Sequence, residues 1–94
     1  MTDRYALHLT IHGRVQGVGY RRSLHLEATR LGLSGWVRNR LNGDVEALVC
    51  GNETQVGQLL AWARQGPPAA RVDGIVSTPA SPTTNTGFHI RPTE

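Results

Sequence analysis

The period of the hydrophobic pattern changes twice along this chain, each time from strand-like to helix-like, and nothing else in it constrains the fold as tightly. Tyr5, Leu7, Leu9 and Ile11 alternate with smaller or polar residues, as in a strand with one buried face. Gly13-Arg14-Val15-Gln16-Gly17-Val18-Gly19 follows, with three glycines in seven residues. Beyond it Tyr20, Leu24, Ala28 and Leu31 recur at helical spacing, and Arg30 followed by Gly32 reads as a C-terminal stop. The second change comes later. Residues 35–41 and 45–50 read as strands around Asn42-Gly43-Asp44, where Asn-Gly predicts a hairpin with both turn residues at positive φ. Asn52, with Gln55 three residues on, is placed to cap a helix with an apolar stripe of Val56, Leu59, Leu60 and Ala63. Gly66-Pro67-Pro68 stops that helix. Residues 70–76 then predict a fourth strand, 77–86 a loop, and 87–91 a short last strand.

The order β-α-β-β-α-β, with a short strand after it, predicts a ferredoxin-like α+β sandwich: an antiparallel sheet with two helices on one face. A chain of 94 residues fills one such core, so a single domain over 1–94 is expected, with a monomer as the default. No run approaches the ~20 apolar residues of a membrane span. The start, Met1-Thr2-Asp3-Arg4-Tyr5, lacks the basic-then-apolar pattern of a leader, so a cytoplasmic protein with no membrane partner is expected. The lone Cys50 excludes an internal disulfide and suits a reducing compartment.

Charge narrows the partner. All ten basic residues are arginine, and seven lie in the first forty positions against only Asp3 and Glu27. The remaining residues carry three arginines against five carboxylates. A front-loaded positive charge calls for an anion: nucleic acid, an acidic surface or a phosphate-bearing small molecule. Without lysine there is no Schiff base and no Walker-type anchor, so phosphate would be held by guanidinium and backbone N–H groups.

The glycine-rich loop offers such groups. It leads from a strand into a helix N-terminus, where the first amides have no intrahelical partner and the dipole is positive. Glycines let successive N–H groups converge on one point, and Arg21 in the first turn adds a planar charged fork. Many such loops only turn the chain, so a second element matters. Asn39, after Trp36-Val37-Arg38 at a strand end, carries an amide able to orient a water toward a bound phosphoryl group.

Taken together, Gly13-Arg14-Val15-Gln16-Gly17-Val18-Gly19-Tyr20-Arg21 and Gly35-Trp36-Val37-Arg38-Asn39-Arg40-Leu41-Asn42-Gly43-Asp44-Val45-Glu46 resemble the two signature motifs of the acylphosphatase family. The resemblance extends to the helix between them and to the order of elements. It implies hydrolysis of acyl phosphates to a carboxylate and inorganic phosphate, with no metal, no cofactor and no phosphoenzyme. By the same resemblance Arg21 is the phosphate-binding catalytic arginine and Asn39 positions the attacking water. Val15, Gln16, Gly17, Val18, Gly19 and Tyr20 form the backbone cradle. Gly19-Tyr20 stands where many members have Ser-Phe or two aromatics, which loosens the cradle's end. Arg40 replaces a small polar residue and is expected to enlarge the positive field.

Other side chains point to blander roles. His8 and His12 share a strand face about 13 Å apart, too far for one metal ion. His25 and His89 read as surface or structural residues, Cys50 as a small buried one, and Trp36 and Trp62 as core. Arg14, Arg22 and Arg38 read as solvated charges that steer an anion. Two rival functions remain open. An RNA-recognition module shares the element order but needs aromatics on its central strands, where this chain has Val45-Glu46-Ala47-Leu48-Val49-Cys50. A non-catalytic phosphate- or carbamoyl-phosphate-binding domain is the other. The chain's end at Glu94 and the presence of both Arg21 and Asn39 favour a free-standing enzyme acting on a small molecule, with no nucleic-acid partner.

Overall fold

Seven elements follow one another in the predicted order: β1 (Tyr5–Arg14), α1 (Tyr20–Arg30), β2 (Ser34–Asn39), β3 (Val45–Gly51), α2 (Glu53–Ala63), β4 (Arg71–Pro79) and β5 (Phe88–Ile90). The structure, a computed structural model, describes residues 4–83 and 85–94. Residues 1–3, part of the start read above as lacking a leader, and Thr84, within the predicted loop, lie outside the described residues. The strands form one sheet in the order β4-β1-β3-β2-β5. Alternation assigns its faces. Leu7, Leu9 and Ile11 of β1 join Val37, Val45, Ala47 and Val49 of the neighbouring strands in a core with Tyr20, Leu24 and Ala28 of α1 and Val56 and Leu59 of α2. Each large side chain sealed there contributes about 1.5–3 kcal/mol. The result is the predicted ferredoxin-like α+β sandwich.

Both helices end as their residues predict. At the close of α1, Gly32 takes φ 75, its N–H donates to the Thr29 carbonyl and that of Leu33 to Ala28, at 3.0 and 2.9 Å. This paired closure satisfies two otherwise free carbonyls. At the start of α2 the Asn52 side chain accepts from the Gln55 N–H at 2.8 Å.

The departures have physical causes. β5 runs parallel to β2, pairing Gly35 with Phe88 and Val37 with Ile90, so the sheet is mixed rather than wholly antiparallel. β4 lies at the opposite edge beside β1, and the chain crosses one end of the sheet before entering β5 in the direction of β2. β4 also extends through Ser77 and Thr78 to Pro79, where a loop was expected. Backbone pairing with Leu7 and Leu9 of β1, not apolar content, holds that stretch, and proline is tolerated on an edge strand. The hairpin has a three-residue loop: Gly43 takes φ 100 but Asn42 does not take positive φ. The Gly43 N–H donates to Arg40 and the Arg40 N–H to Asp44, while the Asn42 side chain accepts from the Asp44 N–H.

Trp36 is not core. Gly35 and Val37 face the helices, so Trp36 lies on the opposite face of β2, with the Arg38 and Arg91 guanidiniums 5.0 and 4.8 Å from its ring centroid. Trp62 does pack against the core, 5.6 Å from the Tyr20 ring. Gly35 itself admits no side chain. It takes φ +134, and a Cβ there would overlap the Leu48 carbonyl oxygen and reach within 3.3 Å of the Phe88 ring. Gly35→Ala is therefore expected to destabilise the fold by about 3 kcal/mol, read as a lowered urea midpoint. An unchanged midpoint would show that β2 and β3 separate without cost.

Candidate active site

The end of the sheet where β1 gives way to α1 and where β2 stops gathers the two sequence motifs. A register shift between His12 and Gly13 leaves one extra residue, Asp73, on β4 opposite the end of β1, a bulge just before the glycine-rich loop. Val15 and Tyr20, each 1% exposed, are pegs at either end of that loop. Tyr20 drives its ring into the core and donates its hydroxyl to the Ala63 carbonyl at 2.7 Å. Burial pushes its pKa well above that of a free phenol, so it stays a neutral donor. Between the pegs, Gly17 and Gly19 take φ 75 and 80, a left-handed region in which an L side chain is strained. Gly19 is the N-cap of α1 and supplies no side-chain acceptor. The first amides of α1 therefore have no side-chain cap.

Arg21 emerges half-buried from that first turn, which contains no acidic residue. Among the described residues it forms no ion pair. Asn39 closes β2 in the alternation of Gly35 and Val37, on the helix side of the sheet. Its side-chain oxygen Oδ1 is buried, and no group among the described residues donates to it. An acceptor left so costs about 1–3 kcal/mol, and an orphan of this kind calls for an explanation.

A cavity of about 200 Å³ joins these groups, lined by Val15, Gln16, Gly17, Gly19, Tyr20, Arg21, Arg22 and Asn39. Of the predicted cradle, only Val18 is absent from the wall; its half-buried side chain packs against the core instead. Arg22, expected to be merely solvated, does line the cavity. Adjacent residues of a helix diverge by about 100°, so spacing alone does not select which of two neighbouring arginines borders a site. Gln16 contributes more than backbone, because its Nε2 donates to the carbonyls of Arg40 and Asp44, 2.8 Å each. A larger cavity, about 460 Å³, lies at the other end of the sheet beside Arg4, Cys50 and Asn52 and contains none of the predicted residues.

The surrounding charges are largely compensated. Arg38 donates to Glu46 at 2.7 Å and pairs with Glu94 at 3.2 Å, and Arg40 donates to Glu46 at 3.0 Å. Arg38 is thus not a free solvated charge, and Arg40 adds less to the field than its position in the motif suggests. Burial pushes the Glu46 carboxyl upward, but hydrogen bonds from His8 and Arg38 and their charges outweigh it and hold it below the usual carboxylate range. His8 meets Glu46 at 2.6 Å and His12 meets Asp44 at 2.9 Å, each histidine with its own carboxylate. His25 and His89 are structural as expected, bonded to the carbonyls of Phe88 and Thr86. Among the described residues no group of three or more His, Cys, Asp and Glu is arranged to hold a metal ion. Arg21 remains as the arginine of the cavity that sits in the first turn of α1 and is both half-buried and uncompensated.

Known proteins resemble this chain. A family model described as Acylphosphatase matches residues 7–90. An acylphosphatase of Azoarcus sp. (strain BH72) is 59% identical over 85 residues, covering 90% of this chain and 87% of that protein. Among solved structures, an acylphosphatase from Coxiella burnetii superposes with a TM-score of 0.91 at 35% identity, over 95% of this chain and 94% of that one. One from Bacillus subtilis gives 0.90 at 34% identity, over 93% and 98%. The likeness thus runs through both motifs and nearly the full length, and the chain belongs to the acylphosphatase family.

Proposed function

We propose that the 200 Å³ cavity is where this acylphosphatase hydrolyses acyl phosphates, with Arg21 and the amides of residues 15–20 holding the phosphoryl group and Asn39 orienting the attacking water. The observation that carries the reading is the buried, unpartnered Oδ1 of Asn39, beside the open N-terminus of α1. An acceptor in that place takes one hydrogen of a water and turns a lone pair toward the phosphorus. The arginine fork and the amides stabilise the charge that spreads over the equatorial oxygens in a loose transition state. The water oxygen forms its bond to phosphorus as the bond to the acyl oxygen breaks. A carboxylate, whose conjugate acid has a pKa near 4, leaves without a general acid. The water's proton passes to a phosphoryl oxygen. No step calls for a metal or a cofactor.

The substrate is a small molecule rather than nucleic acid. The helix-free face presents His8, Thr10, Glu46 and Leu48 on β1 and β3, with the Glu46 carboxylate paired to His8 rather than open to a phosphate backbone. The Trp36 ring beside them is occupied by the Arg38 and Arg91 guanidiniums. One chain supplies every group of the site, which accords with a monomer. The free thiol, Cys50, is buried, and no helix of the described residues is long and apolar enough to cross a membrane; we read the enzyme as cytoplasmic. The purified protein is expected to hydrolyse benzoyl phosphate, followed by the loss of its ultraviolet absorbance. Inorganic phosphate should inhibit competitively, and excess EDTA should leave the rate unchanged. Folded protein without turnover would contradict the reading.

A further inference from the structure

We propose that Gln16 is a positioning residue for the hydrolysis: its side chain sets the separation and angle between the phosphate cradle and Asn39. The inference rests on the assignment of Asn39 to the attacking water. The two halves of the site belong to different parts of the fold, the cradle to the β1–α1 loop and Asn39 to the end of β2. Among the described residues, the only hydrogen bonds joining residues 15–19 to the β2–β3 hairpin are the two from Gln16 Nε2 to the carbonyls of Arg40 and Asp44, both 2.8 Å. The amide spends both its hydrogens there, one on each strand of the hairpin neck. Arg40 is the neighbour of Asn39, so the bond acts one residue from the water-orienting side chain. In-line attack is intolerant of misplacement, and an error of about 1 Å costs on the order of 10²-fold in rate.

The hairpin does not need Gln16 in order to form. The Arg40 carbonyl also accepts the Gly43 N–H at 3.1 Å, and the Asp44 carbonyl the Arg40 N–H at 2.8 Å. Gln16→Met keeps length and bulk but removes both donors, leaving each carbonyl one partner. It is expected to lower kcat on benzoyl phosphate about tenfold while the inhibition constant of inorganic phosphate stays within about twofold. In an Asn39→Ala background the same substitution should change kcat by less than about twofold, because the group it positions is gone. Gln16→Glu, nearly isosteric, should lose at least as much at neutral pH. Relative to wild type at each pH, it should recover as the pH falls toward the ordinary carboxyl value of about 4.3, where protonation restores one donor.

An unchanged kcat in both variants overturns the proposal while the reading of Asn39 stands. So does a phosphate inhibition constant that rises as far as kcat falls, which would make Gln16 part of the cradle alone. An equal loss with and without Asn39 also overturns it. Full turnover by Asn39→Ala would remove the underlying assignment and this inference together.

Discussion

Arg21→Ala is expected to lower benzoyl phosphate turnover by about 10³-fold or more and to raise the dissociation constant of inorganic phosphate by about 10²-fold. Both effects follow from one position. Arg21 sits at the open N-terminus of α1, half-buried, and is uncompensated by any carboxylate among the described residues. Two charge-assisted bonds worth about 1.5–3 kcal/mol each would be lost from bound phosphate, and every 1.4 kcal/mol is about tenfold in affinity. The transition state carries more charge on the same oxygens, so turnover falls further than binding. The fold should survive, because no hydrogen bond or ion pair of the described residues depends on this guanidinium. Steady-state kinetics with phosphate as inhibitor checks both numbers. Retained phosphate inhibition in Arg21→Ala would remove the arginine from the site.

Asn39→Ala separates the other half of the chemistry. Turnover is expected to fall by about 10²-fold or more, as when a positioned polar group is taken from a transition state. Phosphate inhibition should stay within about twofold, since the cradle and Arg21 are untouched. Deleting the orphaned Oδ1 also relieves a buried acceptor, so the variant should be at least as stable toward urea as the wild type. Loss of phosphate affinity in step with turnover would make Asn39 a binding residue and leave the attacking water without its guide.

Much of this could be read from the residues alone, because the local signals and the fold agree. The switch from period 2 to helical period at Gly13–Gly19 marked the loop that lines the cavity, Asn52 starts α2 and Gly32 follows the end of α1 as their residues predict. What escaped was set by distant partners. The parallel direction of β5 depends on a crossing from one edge of the sheet to the other, which no local pattern records. Residues 77–79 look like loop because their strand pairing comes from Leu7 and Leu9, about seventy positions away. Trp36 read as core, yet the alternation of Gly35 and Val37 turns it outward. In the site, the motifs located Arg21 and Asn39 but not the geometry between them. Glu46 compensates Arg40 and Arg38 across the hairpin, and the side chain of Gln16 reaches carbonyls 24 and 28 residues on. Gln16, expected in the cradle for its backbone, thus makes side-chain bonds that no local pattern records.

We expect phosphate to bind in the cradle at the N-terminus of α1, between Arg21 and Asn39. Titrating ¹⁵N-labelled protein with inorganic phosphate and following each backbone amide tests it without reference to turnover. Saturable shifts are expected at the amides of Gln16, Gly17, Val18, Gly19, Tyr20 and Arg21, absent in Arg21→Ala, with a dissociation constant equal to the inhibition constant. Shifts centred instead on the larger cavity beside Arg4, Ser34 and Asn52, or no saturable shift at all, would contradict it.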